Sequence, residues 1–433
     1  MRSPPIDYLI YSLLLHNWGF FDYEHRPAMR ITRKRDLRDG DAVWRAQALP
    51  RIVGAPLRRS VRTDVAVVGA GISGAMIAQS LTQAGKRPLI IDRRRAALLG
   101  STAASTALLQ FELDTPLTKL GSSIGPRRAG KVWIASRDAV NELRTRTAHL
   151  KIEAHFENRP SLYIAGDVLD AKGLKREVAA RRRIGLSSEY WERSALRHHF
   201  GVDRSAALLS HGNAEANPVE LAAGYLHRAI QEGARFHAPH DIIDIHSTRR
   251  GSTLLANDGI QIEARHVIFC TGYEFLKIVP PNDNTIRSTW AIATKAQPRA
   301  IWPQATLVWE ASDPYLYARS TVDGRVICGG EDEDFADTER RDALTPRKAK
   351  RLETKLKRLF PNIDSRSQFA WTGSFGASPN GMPTIGAIPG YPRCYAVMGY
   401  GGNGITFSML AAKLITAAVL GRKSPDAALF AFK

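Results

Sequence analysis

The sequence predicts an α/β protein built around a doubly wound, Rossmann-like parallel sheet, and three consecutive features of residues 65–92 carry that prediction. Residues 65–68 form a short, continuous apolar run, which is typical of a strand buried on both faces of a parallel sheet. The spacing Gly69-x-Gly71-x-x-Gly74 then leads into an expected helix over 72–84. A second apolar run at 88–91 predicts the next strand, which ends at the acidic residue Asp92.

Each residue type in this turn has a mechanical reason. The first glycine makes the tight turn, the second lets backbone approach a pyrophosphate, and the third lets helix pack on strand. The phosphates meet the helix N-terminus, and an acid about 20 residues further on binds the ribose hydroxyls of adenosine. The pattern predicts a dinucleotide site without choosing between NAD and FAD, and a glycine turn that binds no ligand is the alternative. The residues assigned to this part of the site are Gly69, Ala70, Gly71, Ile72, Ser73, Gly74, Asp92 and Arg93.

Length and charge narrow the class of protein. The chain has 433 residues, which favours two domains, and its 44% hydrophobic content is ordinary for a globular protein. The net charge of +19 is compatible with a solvated basic surface or with polyanion binding. We expect the solvated surface and no nucleic-acid partner, because no nucleic-acid-binding module accompanies the charge.

Cysteine use and hydropathy exclude several other classes. The three cysteines are far apart in apolar, strand-like segments, with no disulfide framework and no zinc spacing, which predicts a reducing, cytoplasmic compartment. No apolar run is expected to reach the ~20 residues that span a bilayer, so no membrane span is predicted. The acidic run at 331–334 is interpreted as an exposed loop. It lacks the glycine and terminal glutamate of a calcium loop, so we expect no metal.

The first 61 residues precede the predicted domain and are interpreted as an extension and an arm. Residues 8–15 are apolar, but they are too short for a membrane helix and no signal-peptide cleavage site follows. Residues 29–40 resemble an ordinary polar N-terminus. Our hypothesis is that translation starts at Met29 and that residues 1–28 are untranslated or disordered. Residues 44–59 contain two prolines and predict an extended arm into the first strand.

Three later segments extend the pattern. Residues 100–114 begin with small hydroxyl side chains and continue into an apolar run, as suits a second loop near a cofactor. Residues 264–272 predict another buried strand that ends in a Thr-Gly turn. Residues 394–405 predict a strand and a glycine-rich turn, which a helix to about residue 420 follows.

Together these segments resemble the FAD-dependent oxidoreductases of the D-amino-acid oxidase superfamily, which includes glycine oxidase and sarcosine oxidase. The resemblance covers roughly residues 62–425, and its most specific parts are the first glycine motif, Gly-Ser-Thr at 100–102, and the segments 371–386 and 399–407. It implies a discontinuous FAD-binding domain and a substrate domain that is α+β with an antiparallel sheet. The implied boundaries are 62–115, 205–289 and 365–425 for the FAD-binding domain, 116–204 and 290–364 for the substrate domain, and 426–433 for a tail.

The resemblance further implies where this chain contacts an extended FAD. Ser101 and Thr102 would approach the phosphates or the flavin, the backbone of Ile242 would meet adenine, and Thr271 and Gly272 lie where the family's chain passes the cofactor again. The glycine-rich turn would direct free N–H groups at the negative charge of reduced flavin, unless it is a helix cap that binds no ligand. The residues assigned there are Gly401, Gly402, Asn403, Gly404 and Ile405.

The flavin attachment and the substrate pocket are also predicted from these positions. Some family members attach flavin through a histidine or a cysteine, but 100–106 contain no histidine and 365–385 no cysteine, so we expect non-covalent FAD. Basic residues that clamp an amino-acid carboxylate in the family are absent, because Gln110, Phe375, Gly402 and Thr406 stand at those positions. The substrate-pocket candidates are Gln110, Glu112, Arg319, Tyr317 and Phe375.

Two of these candidates carry charge and have alternative roles. Arg319 is the remaining carboxylate anchor, or else a structural arginine that binds loop carbonyls or an ion-pair partner. Glu112, with Asp114 close behind it, either recognises a cationic amine or is a solvated or capping carboxylate. Tyr315, Tyr317 and Trp290 are expected to line the pocket or to pack in the core.

The expected function is oxidation of a C–N bond in a small-molecule amine or amino acid to an imine, with hydride transfer to flavin N5 and reoxidation by O₂ or another acceptor. The absence of an obvious catalytic histidine pair agrees with this, because the protein mainly orients and tunes the flavin. Two alternatives remain open. One is a flavoenzyme that acts on an RNA-borne (tRNA) amine, and the other is an FAD-binding protein without turnover that serves in assembly or interaction.

Overall fold

The computed structural model describes residues 31–46, 50–280 and 283–432. The hypothesis that residues 1–28 are untranslated or disordered lies outside this part of the chain. The strands are Arg38–Gly40 (β1), Val61–Val68 (β2), Leu89–Ile91 (β3), Leu108–Leu109 (β4), Glu157–Ile164 (β5), Ser188–Glu192 (β6), Ala206–Glu215 (β7), Arg235–His237 (β8), Ile242–Ser247 (β9), Ser252–Ala256 (β10), Gln261–Phe269 (β11), Thr285–Thr294 (β12), Leu307–Glu310 (β13), Leu316–Ser320 (β14), Val326–Glu333 (β15), Ser367–Ala377 (β16), Thr384–Ala387 (β17) and Cys394–Met398 (β18). The α-helices are Ile72–Gln83 (α1), Leu117–Ile124 (α2), Pro126–His149 (α3), Ala171–Arg183 (α4), Arg193–Phe200 (α5), Pro218–Gln231 (α6), Thr338–Ala343 (α7), Thr345–Leu359 (α8), Gly404–Val419 (α9) and Ala427–Phe430 (α10).

The first sheet has the strand order β17-β18-β11-β2-β3-β8. In addition, β10 pairs with β11, and β9 pairs with β10. Its central strands β18, β11, β2, β3 and β8 are parallel. The apolar run at 65–68 lies in the middle of this sheet, where Val65, Ala66 and Val67 are fully buried. Helices α1, α6 and α9 pack together on one face, and residues of β9 and β10 cover the other. The predicted α/β fold is therefore confirmed.

The second sheet has the order β1-β16-β12-β15-β14-β13-β5-β7-β4, with β6 beside β7. Its pairs are antiparallel except for β13 and β5, which run parallel. Helix α8 lays Leu352, Leu356 and Leu359 on this sheet. The predicted substrate domain with an antiparallel sheet has this architecture.

Strand pairing distributes the predicted FAD-binding segments over both sheets. Strands β7, β12 and β16 belong to the second sheet, whereas the sequence analysis placed residues 205–289 and 365–425 in the FAD-binding domain. Segments assigned to the FAD-binding domain therefore also supply strands β7 and β16 to the second sheet. An apolar, alternating run predicts a strand but does not identify the sheet that it joins, because pairing partners are distant in sequence.

Two further expectations are corrected by burial. The acidic run at 331–334 is not simply an exposed loop, because β15 extends to Glu333 and Glu331 is buried with ion-pair partners at Lys348 and Lys355. Among the described residues, the stretch Gly401–Val419 is long and apolar enough to cross a membrane by length and composition, contrary to the expectation that no apolar run reaches this length. Since 72% of it is buried inside the protein, it is a core helix here.

The N-terminal arm connects the two sheets. The Ile31 N–H donates to the Ile243 carbonyl of β9 at 3.1 Å, and β1 then pairs antiparallel with β16. Trp44 is buried and donates its indole N–H to the Ser105 carbonyl at 2.8 Å. The segment was expected to be extended, but Val43–Ala46 form a short 3-10 turn. Ile31 and its neighbours therefore reach the cavity that lies between the sheets.

Candidate functional site

The glycine turn between β2 and α1 has the geometry that its spacing predicts. Gly69 has a φ of +112°, a conformation that favours glycine, and its N–H donates to the Ile91 carbonyl of β3 at 2.7 Å. A Cβ on Gly74 would collide with the Gly69 carbonyl oxygen. Close packing of α1 on the turn therefore depends on glycine at both positions. This packing directs the start of α1 toward the cavity.

Asp92 holds this turn through its carboxylate. One oxygen accepts the Ala70 N–H at 2.8 Å, and the other accepts the Arg94 N–H at 2.8 Å. Burial raises the pKa of Asp92, and these two backbone donors oppose that rise by stabilising the charged form. Asp92 also lines the cavity, so its remaining lone pairs are placed to accept hydroxyl groups such as those of a ribose.

The loop at 100–104 supports the same turn from the other side. The Thr102 hydroxyl accepts the Ile72 N–H at 3.1 Å, at the first residue of α1. Ser101 and Thr102 both line the cavity. Thr102 was expected to approach the phosphates or the flavin; in this structure it also fixes the backbone that would cradle a pyrophosphate.

Charged side chains close the end of the cavity nearest Ile242. Arg93 pairs with Asp241 and with Glu274, the latter at 3.1 Å, and it donates to the Thr32 hydroxyl of the arm. Arg93 and Ile242 both line the cavity, as predicted for cofactor-binding positions. Because its guanidinium is already ion-paired, Arg93 serves mainly as part of the cavity wall and less as a positive charge for a ligand.

Thr271 and Gly272, which follow the end of strand β11, line the cavity. The Thr271 hydroxyl is buried and has no hydrogen-bond partner among the residues that the structure describes. A buried donor without a partner is costly, and here it faces a cavity large enough for a ligand. This orphaned hydroxyl fits the polar groups of a dinucleotide.

The last part of the cofactor site is the start of α9. Gly401–Asn403 form a 3-10 turn, and Asn403 does not cap its own helix. Instead, its side-chain amide donates to the Glu112 carbonyl at 2.6 Å, and the Thr406 hydroxyl donates to the Gln110 carbonyl at 2.9 Å. The helix thus holds the 110–114 loop, and residues 401–405 at its start line the cavity.

A single cavity brings these separate segments together. Of the residues predicted to bind the cofactor, the cavity is lined by all except Ala70 and Gly74, whose roles are to hold and pack the turn. A glycine cradle, an acid, an uncapped helix start and an orphaned hydroxyl are the features that FAD requires along its length. The residues present therefore fit FAD.

The predicted substrate residues divide into two groups. Gln110, Tyr317 and Phe375 line the cavity, whereas Glu112 and Arg319 do not. Glu112 is 1% exposed and accepts from the Ser161 hydroxyl at 2.7 Å and from Arg181 at 3.3 Å. It is a structural carboxylate of the second domain, which corrects its proposed role in recognising an amine.

Arg319 is likewise structural. It is 2% exposed, and it donates to the carbonyls of Thr106 at 2.6 Å and Ala216 at 2.9 Å. Glu215 lies 3.3 Å from the same guanidinium. Burial lowers the pKa of Arg319. Because its donors are used inside the protein, Arg319 is not a carboxylate anchor, and the alternative reading of the sequence is the correct one.

Several lining residues were missed by the sequence analysis. Asp114 was considered only as a companion of Glu112, and Trp309, Tyr273 and Tyr400 were not assigned to the site, although all line the cavity. Tyr273 directly follows the predicted Thr-Gly turn, which is the one local signal that was available. The position of Trp309 depends on the register of β13 with β5, which no local pattern reveals.

Asp332 lies just behind the cavity wall and is unusual in its charge state. Burial raises its pKa from 3.8 to about 6, although Thr289, Tyr315 and Arg287 stabilise the charged form. Since its folded pKa exceeds its unfolded value, ionisation opposes folding, and the penalty grows from about pH 4 to pH 6 and persists above.

We therefore expect Asp332→Asn to stabilise the protein at pH 8 by about 1–3 kcal/mol, because a shift of about two pKa units is worth at most ~3 kcal/mol. At pH 4 the variant should match the wild type. Denaturant unfolding at the two pH values measures this. Asp323→Asn, in an exposed turn, is the control, and equal effects of Asp332→Asn at both pH values would contradict the expectation.

Comparison with known proteins identifies the family. The family model "FAD dependent oxidoreductase" (DAO) matches residues 64–418. Gamma-glutamylputrescine oxidoreductase of Escherichia coli is 25% identical over 382 residues, which cover 84% of this chain and 85% of that protein. Glycine oxidase from Geobacillus kaustophilus has a TM-score of 0.68 at 20% identity and covers 86% of this chain and 98% of its own. L-proline dehydrogenase from P. horikoshii has a TM-score of 0.70 at 15% identity, with coverages of 86% and 97%. The cavity and these matches lead to one conclusion: the chain belongs to the DAO family of FAD-dependent oxidoreductases.

Proposed function

We propose that this enzyme oxidises a C–N bond of a small-molecule amine or amino acid to an imine, which water then hydrolyses. The observation that carries the proposal is the single cavity that joins the glycine turn, the start of α9 and a pocket of aromatic and polar side chains. Bound FAD would supply the two-electron acceptor for this oxidation. O₂ or another acceptor would then reoxidise it. Relatives and neighbours named for a putrescine derivative, glycine and proline support the same bond type.

The residues of this chain would position both reactants. The turn at Gly69 and the start of α9 would hold FAD at its pyrophosphate and at its flavin end, respectively. Tyr317, Phe375 and Trp309 would exclude water from the space beside the flavin. Among the residues described, the one histidine that lines the cavity is His240, whose Nε2 accepts the Leu57 N–H at 2.7 Å and whose Nδ1 lies 2.9 Å from the Asp258 carboxylate. Proton transfer by a protein histidine is therefore not part of the proposal.

FAD is proposed to bind without a covalent link. His240 is engaged as described, and Cys270, the cysteine among the described lining residues, is buried where β11 ends beside Gly69. Burial raises the pKa of the Cys270 thiol well above its ordinary value, which keeps it protonated and unreactive. We expect acid precipitation to release all FAD into the supernatant. Yellow colour that stays in the pellet would contradict non-covalent binding.

The test of the reaction is the visible spectrum of the FAD-loaded protein under argon as amines and amino acids are added. Loss of the oxidised flavin bands with either class, together with the corresponding carbonyl product, supports the proposal. Flavin that no small molecule reduces would overturn it. Parallel titrations with tRNA at several salt concentrations would then separate an RNA substrate from an FAD-binding protein without turnover.

A further inference from the structure

The two ends of the cavity differ in charge. At the end near Ile242, Arg93 and Arg94 are balanced by Asp241 and Glu274. Among the described residues that line the cavity, these two arginines are the only Lys or Arg side chains. The opposite end, beside the start of α9, holds the carboxylate of Asp114 with no lining cation. An anionic group of a substrate would therefore find no partner there.

Asp114 has no close counter-charge within the described part of the chain. One of its oxygens accepts the Gly402 N–H at 2.7 Å, and no Lys or Arg of the described residues lies within 4.0 Å of its carboxylate. Arg287 influences it from farther away, but this guanidinium is paired with Asp334. The Asp114 side chain is exposed to the open cavity, so its charge is available to a cation there.

A second carboxylate stands behind the same wall. Both carboxyl oxygens of Asp332 are shielded from solvent and make no hydrogen bond of normal geometry. Their neighbours Thr289 and Tyr315 line the cavity. The negative charge of Asp114 adds to the effect of burial in raising the pKa of Asp332. The two carboxylates therefore contribute negative potential to the same part of the cavity. Thr289 and Tyr315 stabilise the charged form of Asp332 only in part, and a cation in the cavity would be attracted by both carboxylates.

Aromatic rings line the rest of the cavity end that contains Asp114. Tyr315 and Tyr317 lie with their ring centroids 5.9 Å apart, and both line the cavity with Trp309. Tyr163 stacks on Trp309 at 3.8 Å and holds it in place. Ring faces attract alkylammonium groups, and the attraction is larger where water is excluded. Carboxylates and aromatic faces together form a surface that favours organic cations.

The reacting nitrogen has a different requirement. Oxidation of a C–N bond to an imine uses the nitrogen lone pair, so that nitrogen must be uncharged when it reacts. A substrate with two nitrogens meets both requirements. One nitrogen is cationic and is bound by the site, and the other is neutral and reacts. We infer that the substrate is an aliphatic diamine or an N-substituted diamine, whose non-reacting ammonium is held by Asp114 among Trp309, Tyr315 and Tyr317. This inference rests on the proposed C–N oxidation, and it excludes an α-amino acid whose carboxylate would face Asp114.

The binding test uses two redox-inert probes of equal length, hexyltrimethylammonium and heptanoate. Each is titrated into the FAD-loaded protein at pH 8, and binding is followed by calorimetry and by perturbation of the flavin spectrum. We expect hexyltrimethylammonium to bind at least tenfold more tightly than heptanoate. The Asp114→Asn variant should weaken binding of the cation by about ten- to hundredfold, which lies between the values for one charge near 4 Å in bulk water and at a protein surface. Asp323→Asn removes a charge from an exposed turn and should leave this affinity unchanged.

The outcomes separate the inference from the proposed function. Tighter binding of heptanoate, or an unchanged cation affinity in Asp114→Asn, would overturn the cation site. If the variant does not fold, the relative affinity of the wild type for the two probes still tests the cation site. A second comparison uses 1,4-diaminobutane and 1-aminobutane, and we expect the diamine to reduce the flavin at a concentration at least tenfold lower. If no amine reduces the flavin while the cation still binds, C–N oxidation fails and the site remains.

Discussion

Replacing Arg181 with methionine is expected to lower the free energy of unfolding by about 3–5 kcal/mol. The Arg181 side chain is fully buried between the equally buried carboxylates of Glu112, at 3.3 Å, and Glu177, at 3.1 Å. Glu177 also accepts the N–H groups of Leu117 and Thr118 at the start of α2. Methionine would fill much of the volume but would leave two carboxylates without a counter-charge. Denaturant unfolding at pH 7 measures the loss.

The matched control is Arg182→Met, at the next position of α4, where the side chain is exposed. We expect that variant to lie within about 0.5 kcal/mol of the wild type. If Arg181→Met proves equally mild, the assignment of Glu112 to the structural core is wrong and its role at the substrate must be reconsidered.

Gly74→Ala is expected to abolish retention of FAD during purification. The added Cβ would collide with the Gly69 carbonyl oxygen, which is backbone and has no room to move, because Gly69 is itself bonded to β3. Relief of the collision requires α1 to shift away from the turn, and the N–H groups that face the pyrophosphate shift with it. The ratio of flavin absorbance to protein absorbance gives the result directly.

Gly121→Ala provides the control, because Gly121 also lies inside a helix but its Cβ would make only an ordinary contact of 3.6 Å with Pro126. This change should leave FAD binding intact and stabilise the protein by about 0.5–1 kcal/mol, since alanine restricts the unfolded chain. An FAD content of Gly74→Ala equal to that of the control would contradict the packing argument for the third glycine.

The cofactor half of the site was predictable because its signals are local. The turn at Gly69, the strand that ends at Asp92 and the loop at Ser101 each combine a residue type with a required backbone geometry, and the structure places all three on one cavity. The start of α9 was predictable for the same reason, since a glycine-rich turn before an apolar run marks a helix N-terminus. The fold class followed from these elements, whereas the membership of β7 and β16 in the second sheet did not.

The substrate half was decided by tertiary contacts. Glu112 and Asp114 are two residues apart and chemically similar, yet Glu112 meets Arg181 and Asp114 meets Gly402. Arg319, which stands in a strand common to the family, is occupied by carbonyls from distant segments. The sequence by itself determined the α/β fold and the FAD-binding turn, because these depend on local backbone geometry. Only the tertiary structure decided which charges are neutralised in the core and which remain facing the cavity, because ion-pair partners come from distant positions of the chain.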